Sequence, residues 1–187
     1  MQAVADGDKQ AFEIIVGRYQ RVVINYFYRL TADRQEAEDL AQETFIKLFR
    51  AAQRYRPSGR FINYLLRIAS NLHLDNLDRK RVRPKMVFFD TSNGEENGHA
   101  PHEFVSEEGG PEDHLDSQMR ARRVREAVAA LPDLYRKVFI LSEFHGKKYN
   151  EIAEILKIPL GTVSSRKSQA FNLLRNQLKD LLKETND

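Results

Sequence analysis

Apolar residues recur at helical spacing along most of this chain, and they predict an all-α protein. Phe12, Ile15, Val16, Tyr19, Val23, Tyr26, Phe27 and Leu30 mark a first helix that Asp8 is placed to cap. Thr31-Ala32-Asp33 breaks the pattern. Asp33, with Glu36 three residues on, reads as a capping box for a second helix. That helix directs Ala37, Leu40, Ala41, Thr44, Phe45, Leu48, Phe49 and Ala52 inward. Pro57 and Gly59 interrupt the chain. A third helix follows from about Phe61 to Val82, on a stripe of Phe61, Leu65, Ile68, Ala69 and Leu72. Residues 86–112 lack periodicity. The pattern resumes near Asp113 with Met119, Val124, Ala127, Val128 and Leu131. After Leu131-Pro132-Asp133 it restarts with Leu134, Val138, Phe139 and Leu141, and His145-Gly146 ends it.

The sharpest local pattern is Tyr149–Arg175. Two short helical patterns flank Lys157-Ile158-Pro159-Leu160-Gly161, which is the spacing of a helix-turn-helix. Ile152, Ala153, Ile155 and Leu156 are apolar in the first; Val163, Ala170 and Leu174 share a face of the second. Ala153 is small where two helices cross. Pro159 ends the first helix, because the residue before a proline is driven out of the α region. Thr162 is placed to cap the second. That second helix keeps Thr162, Ser164, Ser165, Arg166, Lys167 and Gln169 polar. Short side chains let its backbone approach a major groove, and Arg, Ser and Gln reach base edges or phosphates. The same spacing also fits a plain αα-hairpin, and this stretch alone leaves both readings open.

Charge changes the picture. The net charge of +3 conceals a segregation. Residues 1–60 hold 10 Lys/Arg against 8 Asp/Glu, and residues 61–85 hold 6 against 2. Residues 86–119 hold none against 9, and residues 120–187 hold 14 against 8. Two basic blocks separated by an acidic one predict two polyanion-binding modules on a solvated, self-repelling tether. The domains are therefore drawn at 1–85 and 113–187, with a flexible linker over 86–112. Two apolar islands, Met86–Phe89 and Phe104-Val105, interrupt that linker. Cysteine is absent, so neither a disulfide nor a thiolate metal site exists. No signal peptide is legible, and no apolar run approaches the ~18 residues that span a membrane. These features fit a cytoplasmic protein.

Candidate chemistry lies on the polar faces. Asp39, Gln42, Glu43 and Ile46 stand at i, i+3, i+4 and i+7 and form one patch. It is either a docking surface for a basic helix or a solvated face. In the loop Arg54–Arg60, Arg54, Arg56 and Arg60 surround Tyr55, a mixture suited to single-stranded nucleic acid or to a plain surface loop. Arg67, Asn71, Asp75 and Asp78 share the polar face of the third helix. Its end, Arg79-Lys80-Arg81-Val82-Arg83-Pro84-Lys85, carries more cations than a helix C-terminus needs, which favours phosphate contact. His99, His102 and His114 lie in or beside the linker and do not read as a metal site; His73 and His145 read as packing or surface residues. Nothing implies a cofactor. No metal-spaced carboxylates, Gly-rich phosphate loop or nucleophile–base pair suggests an enzyme. A stand-alone DNA-binding regulator with a dimerising N-terminal bundle remains a second reading.

Four blocks, in this order, decide between them. Gly7-Asp8-Lys9-Gln10-Ala11-Phe12, Ala37–Phe49, Phe61–Asn71 with Asp75 and Arg79–Arg83, and Leu131–Phe139 through Gly161–Arg166 together resemble the extracytoplasmic function sigma factors, the small two-domain members of the bacterial sigma superfamily. The resemblance implies that Asp39, Gln42, Glu43 and Ile46 meet the β′ clamp helices of core RNA polymerase. It implies that Arg54–Arg60, Tyr64, Arg67 and Asn71 read and open the −10 element, with a flipped base held by the loop. Arg79, Lys80, Arg81 and Arg83 hold phosphate, and the linker runs toward the RNA exit path. The second domain meets the β flap and reads the −35 element through Thr162, Ser164, Ser165, Arg166, Lys167 and Gln169. An anti-sigma factor, often membrane-tethered, is the implied inhibitor. There is no small-molecule substrate. The chain departs from its family at Tyr64, beside the usual Trp, at Lys157, where Gly is frequent, and at Ser164 and Gln169, where Arg is frequent. Gln still bonds adenine bidentately, so an unusual −35 preference is expected.

Overall fold

The computed structural model describes residues 1–57, 59–82 and 111–179, with residues 81, 82 and 111–118 described by backbone alone. Among the described residues there are helices and turns and no strand. After the short α1 (Gln2–Ala5), α2 (Lys9–Thr31), α3 (Arg34–Arg50) and α4 (Phe61–Val82) form a first bundle. α5 (Pro111–Ala130), α6 (Asp133–Phe139), α7 (Tyr149–Leu156) and α8 (Leu160–Gln177) form a second. The tether predicted over 86–112 lies outside the described residues, except for its last two, where α5 begins.

Local chemistry sets the ends. The Asp8 carboxylate accepts from Ala11 N–H at 3.0 Å and starts α2. Asp33 accepts from Glu36 N–H at 2.9 Å and starts α3. The capping box there is only half formed, because the Glu36 carboxylate instead takes Asn76 and Lys80 of α4, each at 2.6 Å. Ala32 closes α2 in the left-handed region at φ 58°.

The first core joins Val23, Tyr26, Phe27 and Leu30 to Leu40, Phe45 and Leu48, and to Leu65, Leu66 and Leu72. Each fully buried side chain of this size contributes about 1.5–3 kcal/mol. The second gathers Leu131, Val138, Ile140, Leu141, Ile152, Ile155, Val163 and Leu174. Four expected core residues are exposed instead: Phe49, Met119, Val124 and Leu134. Helical spacing marks a face, but the width of that face depends on what packs against it. Among its described side chains, α5 buries Ala127 and Val128, near its end.

The helix-turn-helix forms with two corrections. Lys157, not Pro159, ends α7: it takes the left-handed conformation at φ 52°, ψ 48° that glycine serves more cheaply. A side chain there costs about 1 kcal/mol relative to glycine. Nor does Thr162 cap α8. Pro159 occupies the cap, with its fixed φ directing the chain into the helix, and Thr162 donates its N–H to Pro159 at 2.9 Å from inside the first turn. Between α6 and α7, a π-helical turn over Ile140–Phe144 re-aims Phe144 and His145 toward the first bundle. There the Arg29 guanidinium lies 3.6 Å over Phe144, and Tyr26 meets His145 with ring centroids 5.6 Å apart. The halves thus share one continuous core, with α7 on α4 and α5 and α6 on α2.

Candidate polymerase and nucleic-acid interfaces

α3 turns Ala37, Leu40, Ala41, Thr44 and Leu48 inward, so Asp39, Gln42 and Ile46 emerge on the opposite face. Glu43 is half-buried, 3.9 Å from Arg79. Gln35 donates to Asp39 at 3.3 Å. Ile46 is 51% exposed and Phe49, one turn on, is 47% exposed. Two apolar side chains thus interrupt an acidic surface. Phe49 was missed because its helical phase matched the core; in the structure it meets Phe12 edge to face, with ring centroids 5.1 Å apart.

α4 places Tyr64, Arg67, Ile68, Asn71, Leu74 and Asp75 along one side, as i, i+3, i+4, i+7 spacing requires. Tyr55 packs edge-on against Tyr64 at 4.9 Å and Phe61 at 6.1 Å, and the Arg67 guanidinium sits 5.1 Å over the Tyr64 ring. Between this side and the end of α3 is an open recess of about 510 Å³, lined by Lys47, Ala51, Tyr64, Ile68, Asn71, Leu74 and Asp75. Lys47 spans it to Asp75 at 3.2 Å. The lining thus combines one aromatic ring, an amide and a Lys47–Asp75 ion pair, with Tyr55 and Arg67 against the Tyr64 ring. Lys47 and Leu74 were not singled out from the sequence, because neither stands out until α3 and α4 are side by side.

The basic cluster is partly engaged. Lys80 is paired with Glu36 at 2.6 Å, and Arg79 reaches Glu43. The Arg81 side chain and Arg83 lie outside the described residues. In the loop before α4, Arg54, Arg56 and Arg60 are exposed; Arg56 donates to the Tyr55 carbonyl at 3.2 Å, and Arg60 lies 3.6 Å from Glu151 of α7.

On α8, Ser164, Ser165 and Gln169 are exposed and Thr162 and Arg166 half-buried. Thr162, Ser165, Arg166 and Gln169 share a face, and Ser165 donates back to the Thr162 carbonyl at 3.1 Å. Lys167 points elsewhere. Its ammonium lies 2.8 Å from Glu143 and 2.6 Å from the Ser142 hydroxyl, both in the π-helical turn. Glu143 pushes the Lys167 pKa up, and Lys167 holds Glu143 below the usual carboxylate range. Among the described residues no group of His, Asp and Glu is arranged to hold a metal; His99 and His102, and the His114 side chain, lie outside them.

Residues 15–83 match the family model for sigma-70 region 2, and residues 121–174 that for sigma-70 region 4. The RNA polymerase sigma-H factor of Pseudomonas aeruginosa is 34% identical over 186 residues, covering 98% of this chain and 94% of the relative. The chain belongs to the extracytoplasmic function sigma factors. The member SigW of Bacillus subtilis is 33% identical over 181 residues, covering 97% of this chain and 96% of its own length. Among solved structures, the sigma factor RpoE of Bartonella quintana, in complex with the anti-sigma factor NepR, matches with TM-score 0.66 at 22% identity, over 91% of this chain and 98% of that one. CnrH, in complex with the cytosolic domain of CnrY, matches with TM-score 0.66 at 20% identity, over 95% and 93%. At such identity these structures share the fold. As a sigma factor the chain directs promoter-specific initiation by RNA polymerase; it is a transcription regulator and not a classical enzyme.

Proposed function

We propose the following division of labour. The first bundle, drawn at 1–85, grips core polymerase through Asp39, Gln42, Glu43 and Ile46, with Phe49 extending the patch; its counterpart is the β′ clamp helices. The recess beside α4 takes the melted −10 strand: Tyr55 and Tyr64 stack, Arg67 and Asn71 contact a displaced base, and Arg54, Arg56, Arg60, Arg79 and Lys80 hold backbone. The second bundle, drawn at 113–187, meets the β flap and reads the −35 element through Thr162, Ser164, Ser165, Arg166 and Gln169. Lys167 braces α8 against the π-helical turn. No covalent chemistry is assigned to any residue.

The observation that supports the −10 assignment is the cluster of Tyr55 edge-on to Tyr64 with the Arg67 guanidinium over the Tyr64 ring, beside the recess that Tyr64 lines. Its test is permanganate reactivity of thymines in the promoter complex. Tyr64→Ala and Arg67→Ala should leave core binding intact and abolish the reactive −10 thymines; normal reactivity in both would remove the recess from melting.

An anti-sigma factor is the expected inhibitory partner, as for the Bartonella neighbour. The cytoplasm is the expected compartment, because both partners of initiation reside there; among the described residues no helix is long and apolar enough to cross a membrane.

A further inference from the structure

α5 keeps its helix through two turns that bury nothing. Residues 119–126 are exposed all round, and Ala127 and Val128 are the first described side chains of α5 to be buried. Even the apolar members stand out, Met119 at 58% and Val124 at 40% exposure. Packing therefore does not hold these turns. Met, Ala, Arg and Glu, all strong helix formers, fill every position there except Val124. The same stretch carries four arginines, Arg120, Arg122, Arg123 and Arg125, against one acid, Glu126. A face built only for solubility mixes both signs. α5 also packs on α8, so this basic arm belongs to the bundle whose helix-turn-helix is assigned to the −35 duplex.

Helical spacing sorts the arginines. Arg122, Arg125 and Glu126 stand at i, i+3 and i+4, on the side of α5 away from Ala127 and Val128. Arg122 donates to Glu126 at 2.9 Å, but the two side chains are 76% and 61% exposed. A pair so exposed contributes little and is readily exchanged for another anion. Arg125 has no acidic partner among the described residues. Two guanidiniums one turn apart, on a helix that leans on nothing, can take neighbouring phosphates of one strand.

We propose that the outward face of α5, Arg122 and Arg125 with Arg123 beside them, holds the phosphate backbone of the promoter duplex that flanks the −35 element. This rests on the assignment of α8 to that element. A phosphate contact adds affinity on every sequence and leaves base preference to α8. Glu126 works against it. Its carboxylate engages Arg122 and repels the backbone, so this one acid limits the strength of the grip.

The test uses holoenzyme assembled from core polymerase and the full chain. The probe is a labelled promoter duplex carrying a start that depends on this chain. Arg122→Gln with Arg125→Gln is compared with Arg18→Gln with Arg21→Gln, which removes the same charge from α2; all four side chains are exposed. The first pair should weaken duplex binding on the order of tenfold and lower the slope of log affinity against log salt by about 1.8, at ~0.9 per phosphate. The control pair should leave the slope as in wild type. Glu126→Gln should act in the opposite direction and tighten binding several-fold beyond Glu13→Gln on α2. Affinity for core, read by competition, should be the same for every variant. An unchanged slope in Arg122→Gln with Arg125→Gln, equal slopes in the two arginine pairs, or a loss that falls on core binding instead of DNA overturns the proposal. Arg166→Ala separates it from the reading beneath it. Altered −35 base preference in Arg166→Ala upholds that reading whatever the α5 variants do, and unaltered preference overturns it.

Discussion

The imidazole Nε2 of His73, on α4, donates to the Asp133 carboxylate at the first residue of α6 over 2.8 Å. One bond thus ties the two bundles at a buried point, with His73 2% exposed. Asp133 also takes Lys137 at 2.8 Å, and Arg136, three residues on, donates to the Leu30 carbonyl of α2. The start of α6 is anchored to the first bundle more firmly than any surface ion pair could hold it.

Acid should weaken this anchor. Burial raises the Asp133 pKa, but the bonds from His73 and Lys137 outweigh it and bring the value from 3.8 to about 2. A depressed carboxylate stabilises fully above its unfolded pKa and loses that stabilisation as pH falls through the folded one. The loss is about 2 kcal/mol, between pH 4 and 2. Thermal unfolding should steepen its pH dependence in that window, and Asp133→Asn should remove the steepening while lowering stability at neutral pH by roughly 3 kcal/mol. A variant with wild-type stability would detach Asp133 from the interface.

His145 gives a second, separate window. Burial first, then the charges of Arg29 and Lys147, push its pKa from 6.5 down to about 4. The unfolded imidazole takes a proton that the folded one refuses. Stability is therefore complete above pH 6.5 and drains as pH falls toward 4, by up to about 3 kcal/mol. Since the ring packs on Tyr26 of the other bundle, acidification should also separate dyes placed on α2 and α8. His145→Phe should flatten both profiles between pH 6.5 and 4.

Lys167 and Arg166 are adjacent but should behave differently. Arg166→Ala should cost about 1–3 kcal/mol on −35 duplex and relax preference at one base pair. Lys167→Gln should leave the slope of log affinity against log salt unchanged, because its ammonium is bound to Glu143 and Ser142. A slope reduced by about one in Lys167→Gln would make it a phosphate contact.

Asp39 is exposed on α3. Asp39→Ala should change folding stability by no more than about 0.5 kcal/mol and weaken core polymerase binding by more than about 1 kcal/mol, read by competition for core. Unchanged affinity would remove Asp39 from that interface.

Much of this was legible along the chain. The helix expected from about Phe61 to Val82 is present as α4, and the helix-turn-helix was placed by Ala153, Pro159 and the pattern around them. Periodicity and punctuation are local, and local chemistry sets them. What failed was nonlocal. Phe49 and Leu134 have the right phase for burial, but among the described residues neither is buried. Lys47 belongs to the recess only because α3 lies beside α4, 28 residues away at Asp75. Glu151, Glu154 and Asn63 are ordinary polar residues in sequence, and their meeting depends on closure of the two bundles. Lys157 shows a third case: a non-glycine residue holds the left-handed turn, at a cost that the surrounding packing covers.

The most direct measurement is transcription from fragments of the native genome by core polymerase with this chain added, with every start mapped. The account predicts starts that depend on the chain and share paired −35 and −10 sequences. Arg166→Ala should alter base frequencies in the first, and Arg67→Ala in the second. Starts no more frequent than with core alone, or unaltered by both substitutions, would contradict it.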